Sequence, residues 1–390
     1  MKRIQAGGQR RLVLALDVPV RAGRLPAGRL AFLLALLVLP SVTATQSLDL
    51  LPGMPPLVDP HDVYAAGRPG NLSPIVSGFP ERVYVPNSGG NTVDVIDPHT
   101  LKIIDHFAVG KQPQHVIPSY DLKTLWVLND LGDSVTRIDP ATGHKLDTIN
   151  VKDPYNMYNT PDGKFAIVVA EAMRRLDFRD ARTMNMVESV PVPCRGVDHM
   201  DFSANGRYLV ASCEFSSELI KVDVTTRKVL GKLKLPEHAM PQDVRLTPDG
   251  SIFYVADMMG NGLHEIDGDL FKSVGFLPTG KGTHGLYFSR DSKWLYASNR
   301  DEGSVALIDV RTRKVATKWT IPGGGSPDMG GVSADGKVLW LSGRYHAEVY
   351  ALDTADGHLL ARIPVGKGPH GLCFYPQPGR YSLGHTGNMR

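Results

Sequence analysis

Four histidines and three aspartates recur along this 390-residue chain at a regular pitch: His115, Asp198, His199, Asp243, His284, Asp328 and His370. Imidazole nitrogens and carboxylate oxygens bind Zn²⁺, Cu²⁺ or Fe where three or four of them converge about 2.0–2.2 Å from one point. The set is therefore a candidate divalent-metal site, with His115, His199, His284 and His370 as its candidate ligands. No HExxH or CxxC spacing gathers ligands locally, so the fold must bring these residues together.

What positions them is a repeat. The stretches QPQHVIPSYD, DPYNMYNTPDG, GVDHMDFSANG, MPQDVRLTPDG, GTHGLYFSRDS, SPDMGGVSADG and GPHGLCFYPQPG place one slot at 114, 155, 198, 242, 284, 328 and 370, at spacings of 41 to 44. After each slot an Asp-Gly type turn leads into an alternating apolar run such as TLWVLN or WLYASN. A second run then ends on Asp97, Asp139, Asp180, Asp223, Asp267, Asp309 or Asp353, and a third carries the chain to the next slot. Short period-two runs rich in Val, Ile, Leu, Tyr and Trp, parted by such turns, are antiparallel strands. Four strands per 40–45 residues is the pattern of a β-propeller blade, and seven units make a ring that leaves few sheet edges exposed. The expected fold is all-β, a seven-bladed propeller of four-stranded antiparallel blades over 81–390.

At this point the units resemble the YVTN-type repeats of the YncE-like seven-bladed propeller family, in which a G-x-x-P-x-G-V-A-x-S-P-D-G stretch precedes a strand ending in Asn. The resemblance implies that the loops into the inner strands and the loops between second and third strands open on one face, around the mouth of a central channel. There it would place the slot residues Gln114, Tyr155, Asp198, Gln242, His284, Asp328 and His370. Their neighbours His115, Asn156, His199 and Asp243 would join them, as would Glu171, Glu214, Arg300 and Arg344 at the second-strand ends. This ring is the expected ligand site. Its residue types suit three occupants: water, an organic ligand held by hydrogen bonds, or a metal ion. Arg300 and Arg344 could clamp a carboxylate or phosphate, or pair with the acids beside them.

Elsewhere the repeat explains motifs away. Lys281 and Lys367 sit in GKG turns with no following helix, which a phosphate-cradling loop requires. The Asp97 series is explained by aspartates bonding their own turn backbone. Ring closure has two candidates: residues 371–375 could supply the first blade's inner strand, whereas RYSLGHTGN at 380–388 aligns with a second strand. Residues 45–80, rich in Pro and Gly, read as an arm.

Residues 1–44 hold seven basic residues and one acid, and the run LAFLLALLVLP is too short to span a bilayer before the small-residue stretch SVTA. This is the pattern of an export signal, cleaved near Ala44 or retained as an anchor, which places the protein in the periplasm or outside the cell. The chain carries +3 overall, but without that segment 36 basic residues face 39 acidic ones, or −3. An acidic mature chain without a Lys/Arg-rich run argues against nucleic acid as a partner. No transmembrane domain is expected after signal removal, and the chain is expected to be a monomer. An exported protein can hold a disulfide, for which Cys194 and Cys213 are the candidate pair.

The expectation is thus an exported propeller that binds a small-molecule or protein ligand at its channel mouth. Two alternatives share its residues: a metal-dependent enzyme resembling propeller lactonases or lyases, and a propeller holding d1-type haem through an axial histidine.

Overall fold

The computed structural model describes residues 48–390, so the expected export segment lies outside the described residues. Seven four-stranded antiparallel sheets follow the repeat. Blades II to VII each run inner to outer along the chain, with inner strands Pro113–Pro118, Pro154–Asn159, Val197–Phe202, Pro241–Leu246, Thr283–Phe288 and Pro327–Val332. Inner and second strands are almost wholly buried, and the outer strands are largely exposed, as in Lys102–Ala108. Alternating side chains fill the gaps between neighbouring blades. Val169 and Phe178 of blade III, for instance, share one apolar cluster with Leu209 and Ile220 of blade IV. Burial of this kind, at roughly 25 cal/mol per Å², is what holds blade to blade.

Blade I settles ring closure. Its second to outer strands are Arg82–Asn87, Thr92–Asp97 and Lys102–Ala108, and its inner strand is Cys373–Tyr375, paired through Val83 with Phe374 and Tyr84 with Cys373. The segment 380–390 is not a second strand. Gly384 and Gly387, both at positive φ, break the alternation, and the segment folds across the end of the channel opposite the mouth. There Gly384 meets Tyr158 in an isolated bridge, Asn388 Nδ2 donates to Asp201 Oδ1 at 2.8 Å, and His385 is fully buried.

The Pro- and Gly-rich stretch packs on that same face. Val63 N–H donates to Pro248 O, Tyr64 Oη donates to Leu246 O, and the Arg390 guanidinium lies 4.5 Å from the centre of the Tyr64 ring. No helix among the described residues is long and apolar enough to cross a membrane.

Candidate functional site

The slot residues point inward for a local reason. In blades II to VII the pairing of the inner strand slips at the slot, as between Val197 and Met200, Pro241 and Val244, Thr283 and Leu286, and Pro327 and Gly330. A bulge of this kind frees residues from the ladder and re-aims their side chains. Second-strand serines satisfy the freed backbone in blade IV, where His199 N–H donates to Ser212 Oγ, and in blade VI, where Gly285 N–H donates to Ser298 Oγ.

The bulges gather the four expected histidines into one buried cluster. Ring centres are 5.5 Å apart for His115 and His199, 4.8 Å for His115 and His370, 6.1 Å for His199 and His284, and 5.9 Å for His284 and His370. A fifth histidine, unforeseen from the repeat, rises from the opposite end: His385 lies 5.6 Å from His115 and 5.1 Å from His199. One ring nitrogen each from His115, His199 and His385 falls within 4.8 Å of the others, and one ligand atom each from His284, Asp328 and His370 does the same. Gly371 makes room for this packing, because a Cβ there would stand 2.1 Å from His115 Cδ2.

The hydrogen bonding of the first trio leaves nitrogens free. His115 Nδ1 donates to the Tyr155 carbonyl at 2.9 Å, so the lone pair is on Nε2, which has no partner. His199 Nδ1 lies 2.6 Å from Asp198 Oδ1, and its Nε2 is unpartnered. His385 Nδ1 lies 3.3 Å from Asn156 Nδ2, and its unpartnered Nε2 is 3.7 Å from Asp243 Oδ1. Burial holds His199 and His284 near 4, and holds His115, His370 and His385 well below the usual imidazole range. Neutral imidazoles are the form that ligates.

The second trio is more committed. Arg300 donates from Nε and Nη2 to Asp328 Oδ1 at 3.0 and 2.6 Å, and His284 Nδ1 is 3.0 Å from the same oxygen. Against the upward push of burial, Arg300, His284 and His370 hold the Asp328 carboxyl well below the usual range. Arg300 is thus the partner of an internal acid. Arg344 donates to Ser88 Oγ at 2.9 Å and to Gly368 O. Asp198 differs: burial pushes its carboxyl well above the carboxylate range, with Tyr155 and His199 as its polar neighbours.

Above the histidines stand Tyr155 and the partly buried Glu171 and Glu214. Burial, reinforced by Asp198, pushes Glu214 up to about 7 and Glu171 up to about 9. Leu131, Met173, Phe215, Met259 and Tyr345, one from each of five blades, are exposed on the loops around this mouth. Cys194 and Cys213 form a disulfide that ties the approach of blade IV's inner strand to the end of its second strand. Among second-strand ends, Asn87 and Asn129 are buried and bonded to Thr92 and Thr136 of their own blades, so they serve the turns.

A family model described as a YNCE-like beta-propeller matches residues 54–378. Among solved structures, the chain is similar to hydrazine synthase of Kuenenia stuttgartiensis, with 21% identity, a TM-score of 0.60, and 78% of this chain and 99% of that one covered. It is similar to the dihydro-heme d1 dehydrogenase NirN in complex with DHE, with 16% identity, a TM-score of 0.57, and 78% and 76% covered. A putative 6-phosphogluconolactonase from Bacteroides uniformis matches at 15% identity and a TM-score of 0.60, with 75% and 99% covered. At these identities the likeness is one of fold. No curated protein matches.

Proposed function

This chain belongs to the YNCE-like beta-propeller family, and from that premise we propose that it is an exported metalloprotein whose channel holds a divalent transition metal ion. The observation that carries the reading is the trio His115, His199 and His385: three buried imidazoles, one nitrogen of each within 4.8 Å of the others, and each with an unpartnered Nε2. Buried polar atoms without partners are costly, and a cation that accepts their lone pairs removes that cost. An all-imidazole set suits zinc or copper better than calcium or magnesium. Three protein ligands also leave a coordination position open, the arrangement through which a bound ion acts as a Lewis acid on a small molecule. The mouth, with Glu171, Glu214 and Tyr155 above the histidines, is the side from which a small polar ligand would reach that position. Rings 4.8 to 6.1 Å apart admit an ion between them but not a macrocycle, so the haem alternative finds no support in the channel.

Elemental analysis of untagged protein, with its absorption spectrum, tests this. About one zinc or copper ion per chain is expected, lost in His115→Ala and His199→Ala variants that remain folded. Protein that is metal-free as purified and takes up neither ion on reconstitution would overturn the reading. N-terminal sequencing of exported material, expected to begin near Thr45, checks the export half separately.

A further inference from the structure

On the face opposite the mouth, and apart from the histidines, a cavity of ≈ 60 Å³ is walled by Arg245, Tyr287, Arg290, Gln377 and Thr386, among others. Its cations are unevenly matched. Arg245 lies 3.8 Å from Asp243 Oδ2. Arg290 has no carboxylate within ion-pair distance among the described residues. Its Nε donates to Ser333 O at 3.1 Å, and its Nη2 donates to Val332 O and Gln377 Oε1. All three acceptors are neutral, and Nη1 has none. Burial pushes even this guanidinium down to about 10.

The rest of the wall completes a donor set. Arg245 spends only Nε, on Leu286 O at 3.0 Å, so its two terminal nitrogens have no protein acceptor among the described residues. Thr386 is 2% exposed, and its hydroxyl, beside Tyr287, makes no well-formed hydrogen bond. Arg290 is half-buried, so water covers only part of a guanidinium that has no counter-charge, and such a cation gains from an anion brought beside it. Guanidinium N–H groups and a hydroxyl aimed at one small space form a recognition set for an oxyanion. The volume exceeds what one water needs, suits a four- or five-atom anion, and is too small for a sugar phosphate or nucleotide.

We propose that this cavity is a binding site for a small oxyanion, of the phosphate, sulfate or short-carboxylate class, with Arg290 as the principal donor and Arg245 and Thr386 as its companions. The site stands independently of the metal reading. Because Thr386 follows His385, an anion held here also pins the segment that closes the channel.

Isothermal titration of the whole exported protein with inorganic phosphate, sulfate and acetate, each added separately to untreated and to chelator-stripped samples, tests the proposal. Saturable one-to-one binding of at least one anion is expected, with a matching rise in Tm. Phosphate or sulfate binding without acetate binding identifies a tetrahedral oxyanion, and the reverse identifies a carboxylate. Arg290→Gln is expected to weaken binding about tenfold or more, and a Tm change of the anion-free protein, expected from the lost bonds to Ser333 O and Val332 O, is read separately from the affinity. Should that variant not fold, Arg290→Lys keeps the charge, loses the planar fork and is expected to weaken binding as well. Absence of saturable binding by all three anions at millimolar concentration, or unchanged affinity in the Arg290 variants, would overturn it.

Discussion

The imidazole of His385 stands edge-on to that of His199, 5.1 Å between ring centres and 88° between planes, although one belongs to an inner strand of blade IV and the other to the segment that closes the channel. Blades alone therefore supply two members of the first trio, and the third arrives from outside the repeat. Replacing His385 with Ala should weaken zinc binding on the order of 100-fold or more, because a ligand lost from a three-imidazole set costs at least as much as loss of an outer-shell partner. His284→Ala, which touches the Arg300-paired trio, should weaken the tighter site far less. Competition of chelator-stripped protein against a chromophoric chelator measures both, and equal losses would contradict the division into two trios.

Gly371 offers a gentler perturbation. Its φ is not in the left-handed region, so alanine there adds no backbone strain, but the new Cβ would meet the His115 ring at 2.1 Å. Gly371→Ala should keep the propeller's circular dichroism and lose most of its metal affinity by turning that ring away. Retained affinity in a folded variant would show that His115 is not a ligand.

Glu171 sets a pH dependence. Burial, together with Asp198, Glu214, Asp130 and Asp153 around it, pushes its carboxyl up to about 9. The folded state thus holds a proton that the unfolded chain gives up near its ordinary value, and stability falls as pH rises from about 4.5 towards 9. Glu171→Gln should flatten that fall, raising Tm at pH 8 more than at pH 5 in calorimetric scans. Equal shifts at both pH values would mean that Glu171 ionises normally.

The disulfide has a calculable worth. A bridge between Cys194 and Cys213, 19 residues apart, should contribute about 3 kcal/mol through the unfolded chain it constrains. The Cys194→Ala/Cys213→Ala double variant should lose roughly that amount in urea unfolding. Metal binding should weaken too if the bridge steadies the strand that carries His199.

The propeller was legible because the repeat states each blade's strands and turns separately, so the second run that ends on Asp180 is supported by its six counterparts. The four blade histidines could be named for the same reason, since a slot of fixed position filled by unlike residues stands out against strands that stay alike. Depth was not legible. The four blade histidines are almost fully buried, which the repeat could not state, because the bulges that turn them inward arise from pairing between strands. His385 was missed because it lies in the segment 380–388, one of two open candidates for closing the ring, and outside the seven slots from which site residues were drawn. Nor could composition reveal that Arg300 is already engaged by Asp328, a pairing between adjacent blades.

The closure of blade I by Cys373–Tyr375 has a consequence in time. A chain still being made has an incomplete first blade, no seal on the lower end of its channel and only two of the three imidazoles of the first trio. Cys373–Tyr375 and His385, which follow all the other blade strands in chain order, finish the ring and the ligand set together. On the proposed reading, in which the chain crosses a membrane unfolded and then binds an ion, enclosure of that ion follows translocation, and the metal supply of the destination compartment sets which ion the finished protein carries.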